Sequence, residues 1–119
     1  MADSSVWIDH FRTANPHLAQ AAAEGRLLQH PYVNIELALG MIPRRETTLA
    51  DLGRITQARV LTADELGNFI EQHSISGTGL GMVDASLLAA ATTTADTRLW
   101  TRDKRLAAQA ERLGIAYQP

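Results

Sequence analysis

Two carboxylates stand in segments that are otherwise almost entirely apolar. Glu36 is the one charged residue of the segment 33–42, and Asp84 is the one charged residue of the segment 80–91. Burying an unpaired carboxylate costs several kcal/mol, so each side chain must be paired, protonated or bound to a cation. The structural alternative is a buried ion pair with an arginine for Glu36 and a helix N-cap for Asp84. The segment 33–42, which is apolar nearly all round, predicts a buried helix.

Two further acids lie where predicted strands end. Asp3 precedes the apolar residues 6–8 at a strand-to-helix junction, and Asp103 follows the predicted strand 98–101 and opens the last helix. Each of them, taken singly, is typical of a helix cap. Four carboxylates at one sheet edge would repel one another, and bound divalent cations would relieve that repulsion. A site made only of carboxylate oxygens prefers Mg²⁺ or Mn²⁺.

Length and composition predict a single globular domain over residues 1–119. The chain is 45% hydrophobic and 20% charged, and no repeat or low-complexity linker divides it. It contains no cysteine, which excludes disulfide scaffolds, zinc fingers and thiol catalysis. The amino terminus lacks a signal-peptide pattern, and no apolar run approaches the roughly 18 residues of a membrane span. We therefore expect a soluble, cytoplasmic protein with no membrane partner.

The net charge of −2 would ordinarily count against a nucleic-acid partner, because phosphate binding is driven by Lys and Arg. If four of the 13 acidic residues were committed to a metal site, 9 would remain against 11 basic residues. The overall charge is therefore compatible with a nucleic-acid partner when a metal occupies the four acids.

The helices are marked by their ends. Asn15 followed by Pro16 is a cap with proline at the first helical position, Thr62 and Glu65 form a capping box, and Gly114 ends the last helix. Short apolar segments alternate with these helices, and we predict strands at 27–28, 59–61, 98–101 and 115–117. This alternation is typical of α/β folds with a mainly parallel sheet covered on both faces, in which ligands bind at the carboxyl ends of the strands.

At the four acids the chain resembles a known family. In order along the sequence, the segments DSSVWID (3–9), ELALG (36–40), GMVDASLLA (81–89) and LWTRD (99–103) resemble the acidic motifs of PIN domains, specifically the VapC-like toxin ribonucleases. The resemblance implies a PIN-like three-layer α/β/α sandwich with a mainly parallel central sheet. It also implies a Mg²⁺- or Mn²⁺-dependent endoribonuclease that hydrolyses RNA phosphodiester bonds with a metal-activated water.

Residue by residue, the resemblance assigns Asp3, Glu36, Asp84 and Asp103 to a catalytic quartet that binds the metal. It assigns Thr101 the role of the hydroxyl residue that supports the quartet through hydrogen bonds. Members of this family act as the toxin of a toxin-antitoxin pair, form homodimers and are held inactive by a small antitoxin protein that reaches into the acidic groove.

Basic residues flank the last of these acids. Arg102, Lys104 and Arg105 are candidates for contacts with RNA phosphates, and the alternative is an ordinary solvated helix start. For the whole chain, the alternative function is a PIN-like module that has lost catalysis and binds only protein or RNA. A nuclease assay with and without Mn²⁺ separates the two functions.

The sequence also predicts an exposed apolar surface and the behaviour of the first acid. We expect exposed apolar residues on the helix containing Leu49, Leu52 and Ile55, which would support a homodimer. Because only two residues precede Asp3 and chain termini fray, we expect Asp3 to be the least well-ordered acid of the quartet. We further expect either a natural chain that begins a few residues upstream or weakened metal binding.

Overall fold

The computed structural model describes all 119 residues and contains seven helices joined by turns and short extended segments. The helices are α1 (Ser4–Arg12), α2 (Pro16–Ala23), α3 (Pro31–Leu39), α4 (Arg45–Arg54), α5 (Ala63–Gln72), α6 (Met82–Thr93) and α7 (Lys104–Arg112). One cluster of buried apolar side chains, drawn from all seven helices and from the extended segments, forms the core. No helix combines the length and the hydropathy that crossing a bilayer requires.

The predicted helix ends are confirmed. The Asn15 side chain accepts hydrogen bonds at the start of α2, where Pro16 is the first helical residue. At the start of α5, Thr62 and Glu65 make both reciprocal hydrogen bonds of a capping box. Gly114 follows α7 with φ of +74°, a backbone conformation that glycine adopts without a steric penalty. Local capping chemistry therefore determines where these helices begin and end.

The extended segments pair in parallel, as predicted, but only through isolated bridges. Ala2 pairs with Trp100, and Leu99 pairs with Ala116, so three segments lie side by side with the segment around residues 99–100 in the middle. A separate bridge joins Gln29 to Gln57. None of these bridges extends into a ladder, so the predicted central sheet is present only as short parallel contacts.

The strand predicted at residues 59–61 was wrong. The backbone pairing lies upstream, where the Ala58 N–H donates to the Gln29 carbonyl and the Gln29 N–H donates to the Thr56 carbonyl. Residues 59–61 instead lead into α5, and the Arg59 side chain bonds both carboxylate oxygens of Glu65. The apolar pattern of residues 59–61 predicts a strand, whereas the backbone pairing falls in the more polar residues 56–58.

Helix α3 is not the buried helix that the apolar pattern predicted. It ends at Leu39, and it buries only Val33 and Leu37. Leu39 is 83% exposed, and Ile35 and Met41 are also exposed. The segment therefore presents an apolar surface to solvent on the side away from the core.

The expectation of exposed apolar residues on α4 was wrong as well. Leu52 is buried, and Leu49 and Ile55 pack against the core. The stripe formed by these three residues is the face by which α4 attaches to the rest of the domain.

Helix α6 passes through the core. Residues 85–91 are all buried, and α6 packs against both α5 and α7. Four of these residues are alanine, whose small side chains allow neighbouring elements to approach closely. The first turn of α6, which carries Asp84, is thereby held in a fixed position.

Candidate active site

Asp3 is the most deeply buried of the four acids, with 4% of its surface exposed. It is the N-cap of α1, and its Oδ1 accepts a hydrogen bond from the Val6 N–H. The Ser5 hydroxyl also donates to Oδ1, and the Thr101 hydroxyl donates to Oδ2. Oδ1 therefore has donors from the start of the chain, and Oδ2 has a donor from near its end.

Asp3, which the sequence predicts to be the least well-ordered acid of the quartet, lies in a backbone pairing with a distant segment. Its N–H donates to the Trp100 carbonyl, and the Trp100 N–H donates to the Met1 carbonyl. The Met1 ammonium group donates to the Arg98 carbonyl at 2.8 Å. Two residues are thus enough to pair the start of the chain with the segment 98–100, and Asp3 is fixed by that pairing.

Thr101 links Asp3 to Asp103. Its hydroxyl donates to Asp3 and accepts from the Asp103 N–H at 3.0 Å. Asp103 is the N-cap of α7 and accepts from the Leu106 N–H at 2.9 Å. Asp3 and Asp103 are therefore both helix caps, as the structural alternative predicted, and the same hydroxyl contacts the backbone or side chain of each.

Glu36 lies half-buried on α3 and reaches the first turn of α1. The Ser4 hydroxyl donates to Glu36 Oε1 at 3.1 Å. No arginine pairs with Glu36, because the ion pairs of the structure are Arg26–Glu24, Arg54–Asp51, Arg59–Glu65 and Arg102–Asp9. The structural alternative of a buried ion pair for Glu36 is therefore excluded.

Asp84 is the third residue of α6 and receives no side-chain hydrogen bond. The N-cap of this helix is Gly81, so the capping alternative for Asp84 is also excluded. Burial, and after it the negative charges of Asp103, Asp3 and Glu36, raise the pKa of the Asp84 carboxyl to about 6. All three other predicted acids are thus close enough to influence Asp84 electrostatically.

The donor set of these four acids, called the carboxylate site below, suits a hard divalent cation. All eight of its side-chain oxygens belong to carboxyl groups, the ligands that Mg²⁺ and Mn²⁺ prefer. As the side chains stand, no three acidic or histidine side chains converge on one ion position. The mutual charge that raises the Asp84 pKa is what a divalent cation would neutralise, so the residues fit such an ion.

The predicted RNA-contacting residues lie around this site in different surroundings. The Arg102 guanidinium is paired with Asp9 of α1, and Lys104 is exposed. Arg105 extends over the loop before α6, where a Cβ on Gly79 would lie 3.1 Å from Arg105 Cδ. Arg102 and Arg105 thus flank the carboxylate site on its α1 and α6 sides.

Sequence reasoning did not single out Ser4, Ser5 or Asp9. Ser5 donates to Asp3 and accepts from the Arg102 N–H at 3.0 Å, and Ser4 orients Glu36. The signal was present in the two serines that directly follow the first acid, because hydroxyl groups at the start of a helix readily orient a neighbouring carboxylate.

The PIN domain family matches residues 1–112. The chain belongs to this family. The matched range contains all four acids of the carboxylate site and Thr101.

Two curated relatives carry the name Ribonuclease VapC32, one from Mycobacterium tuberculosis strain CDC 1551 / Oshkosh and one from strain ATCC 25618 / H37Rv. Each is 40% identical over 116 residues, which cover 98% of this chain and 94% of the relative. No solved structure matches the chain.

Membership of the PIN family gives the chain an α/β fold, as predicted. The parallel bridges are the part of that fold's sheet that the structure contains. The bridge between Ala2 and Trp100 brings the ends of the segments carrying Asp3 and Thr101 side by side, which explains why residues 98 positions apart in the sequence share a hydrogen bond.

Proposed function

We propose that the protein is a Mg²⁺- or Mn²⁺-dependent endoribonuclease and the toxin of a toxin-antitoxin pair. The observation that carries this proposal is the electrostatic coupling of Asp84 to Asp3, Glu36 and Asp103, in a chain whose curated relatives are named as ribonucleases. A carboxyl group placed among three others is expensive unless a cation is bound there. RNA cleavage is a reaction that uses such a cation.

The four acids of the carboxylate site would hold the metal. A divalent cation supplies, when bound, a lower pKa for a water molecule and charge neutralisation at the scissile phosphate. The chain's own hydroxyl groups fix the ligands: Ser5 and Thr101 hold the two oxygens of Asp3, and Ser4 holds Glu36. Such outer hydrogen bonds orient ligands and typically matter 10- to 100-fold.

Asp84 has the additional property of a titration close to neutrality. With a pKa of about 6, its carboxyl group carries a proton in mildly acidic solution and is ionised at neutral pH. Because a ligand must be deprotonated to bind a metal, protons compete with the cation at this position. We expect cleavage to fall as the pH decreases below about 6.

Arg102, Lys104 and Arg105 are the proposed contacts to RNA phosphates. They flank Asp103, the last acid of the carboxylate site, in the sequence, and their positive charges offset the negative charge of the site for an approaching polyanion. In the same proposal the fold is the three-layer α/β/α sandwich of PIN domains, and the protein acts in the cytoplasm, where RNA and the antitoxin are present.

The first experiment is a nuclease assay on purified protein with Mn²⁺, with Mg²⁺ and with EDTA. The proposal predicts RNA cleavage with either metal and none with EDTA, and loss of cleavage in Asp84→Asn. The alternative function, a PIN-like module that only binds RNA or protein, predicts no cleavage under any of these conditions. Expression in a bacterial host tests the toxin role, because the wild type should arrest growth and Asp84→Asn should not.

We propose a homodimer that uses the exposed apolar residues of α3 and the turn after it, Ile35, Leu39 and Met41. Apolar side chains grouped in this way commonly mark a protein interface. Light scattering of the wild type should give about twice the chain mass of 13.0 kDa. Leu39→Glu should give a single chain mass, and a wild type that remains at 13.0 kDa at micromolar concentration contradicts the dimer.

A further inference from the structure

Arg102 makes contacts with α1 through both its backbone and its side chain. Its backbone N–H donates to the Ser5 hydroxyl, which itself donates to the carboxylate of Asp3. Its Nε is paired with the Asp9 carboxylate, one helical turn after Ser5 on α1. Neither terminal amino group of the guanidinium donates a hydrogen bond within the chain, so both remain available for a second, bidentate partner.

Arg102 lines a polar cavity of about 400 Å³ between the end of α1, the turn 13–16 and the residue itself. The other charged residues of this cavity are Asp9 and Arg12. Arg12 takes part in none of the four ion pairs of the structure, and its side chain is exposed. The cavity therefore carries two arginines against one carboxylate, and its net positive charge favours an anionic ligand.

The position of this cavity limits what the anion would be. Asp103, a member of the carboxylate site, directly follows Arg102, and Ser5 connects the Arg102 backbone to Asp3 by consecutive hydrogen bonds. Arg102 therefore borders the carboxylate site through its backbone and the cavity through its side chain, so the two lie next to each other, and an RNA strand is a polyanion that can occupy both. An apolar ligand is disfavoured, since only one of the seven lining residues is hydrophobic.

We propose that this cavity, the α1–α2 cavity, binds a second phosphate of the RNA strand, with Arg12 and Arg102 as its ligands and Asp9 as a positioning residue for Arg102. The proposal rests on the proposed ribonuclease function. It adds a subsite beside the carboxylate site and assigns a role to an acid that the family motifs leave without one.

Removing a ligand arginine should weaken RNA binding and reduce its salt dependence. The probe is a fluorescein-labelled single-stranded RNA of mixed sequence, and binding is measured by fluorescence anisotropy over a range of KCl concentrations in the Asp84→Asn background, which does not cut. We expect Arg102→Gln and Arg12→Gln each to raise Kd severalfold. Each should also reduce the slope of log Kd against log salt by about 0.7, the value for one phosphate contact on a single strand.

The chain offers a matched control in the Arg26–Glu24 pair. Its side chains are 54% and 44% exposed, against 54% and 41% for Arg102 and Asp9, so Arg26→Gln makes the same charge change in a similar ion pair. Arg26 lines neither the α1–α2 cavity nor the carboxylate site. Arg26→Gln should leave both Kd and the salt slope close to the reference, and an equal effect of all three arginines would overturn the subsite.

Asp9→Asn separates positioning from simple neutralisation. If Asp9 orients Arg102, Asp9→Asn raises Kd, by less than Arg102→Gln does, and has no further effect in the Arg102→Gln background. If Asp9 only reduces the positive charge of the cavity, the same substitution lowers Kd, and the positioning role is wrong. An Asp9–Arg102 pair that merely joins α1 to the turn 101–103 would lower thermal stability in both variants without any change in salt slope, which also overturns the proposal.

These results are independent of the nuclease assay. Absence of cleavage by the wild type with either metal would overturn the proposed function, while the binding comparison, made in EDTA with the same labelled RNA, would remain readable. Equal Kd values and equal salt slopes in the Arg12, Arg26 and Arg102 variants would overturn the α1–α2 cavity as a phosphate subsite and leave the ribonuclease proposal standing.

Discussion

Asp3 and Asp84 are held in the same site by opposite means. Asp3 is buried and accepts hydrogen bonds from Ser5, Thr101 and the Val6 N–H, so both of its carboxylate oxygens have partners. Asp84 is half-buried, receives no side-chain hydrogen bond and has its pKa raised to about 6. Asp3 therefore contributes to the stability of the domain, whereas the ionised form of Asp84 lowers it.

This difference shows which residue is explained by function alone. A capping, fully hydrogen-bonded aspartate would be useful in a protein with no catalytic activity. A carboxyl group that burial and three neighbouring charges disfavour has no such structural use in this domain. Asp84 is therefore the residue where the proposed metal chemistry is most directly tested.

The largest expected effect comes from Asp84→Asn. Removing one charged ligand should lower RNA cleavage by at least about a hundredfold, since a catalytic metal contributes several kcal/mol to transition-state stabilisation. Cleavage rates with Mn²⁺ measure this, and circular dichroism confirms that the helices are retained. An unchanged rate contradicts the assignment of Asp84 to the metal site.

Thr101→Val should have the next largest effect, because it removes the donor to one Asp3 oxygen and the acceptor for the Asp103 N–H. We expect cleavage to fall by about 10- to 100-fold, as for other hydrogen bonds that orient metal ligands. Thr101→Ser keeps the hydroxyl group and is the control. If Thr101→Ser is as impaired as Thr101→Val, the methyl group rather than the hydrogen bond matters.

A matched pair of alanine variants tests the structural difference between the two carboxylates. Asp3→Ala removes an N-cap and should lower the free energy of unfolding by about 1 to 2 kcal/mol. Asp84→Ala removes a disfavoured charge and should leave the free energy of unfolding unchanged or slightly higher. Urea unfolding in EDTA measures both values, and equal losses would show that Asp3 and Asp84 do not differ in their contribution to stability.

The smallest effect is the pH dependence of the stability gained by Asp84→Asn. Folding raises the Asp84 pKa from 3.8 to about 6, so the folded chain binds a proton more tightly than the unfolded chain between these values. The unfavourable contribution of the ionised carboxyl is complete above about pH 6 and disappears as the pH falls toward 3.8. Melting temperatures in EDTA should therefore be higher for Asp84→Asn than for the wild type at neutral pH, and should converge in acid.

Features that depend on neighbouring residues in the sequence were predictable. The helix ends at Asn15, Thr62 and Gly114 follow from capping groups within a few residues of each other. The four acids could be assigned to one site only through the family motifs, and that assignment stays a prediction. The hydrogen-bond donor of each carboxylate oxygen could not be predicted from the family motifs.

Features that depend on distant residues were missed. The bridge at Gln57, the exposure of Leu39 and the burial of Leu52 are decided by which other elements pack against each segment. An apolar run of ten residues has the same sequence pattern whether one face or every face is covered. The pairing of Asp3 with Trp100 could not be predicted either, because Trp100 is remote from Asp3 in the sequence.

The capping role of Asp3 and Asp103 has a consequence for comparing related chains. A relative that had lost nuclease activity would still gain helix stability from an aspartate at each of these two positions, so selection for folding alone would preserve them. Asp84 and Glu36 cap no helix. Among diverging relatives these two positions should change first when activity is lost, and their presence is the better indicator of an active nuclease.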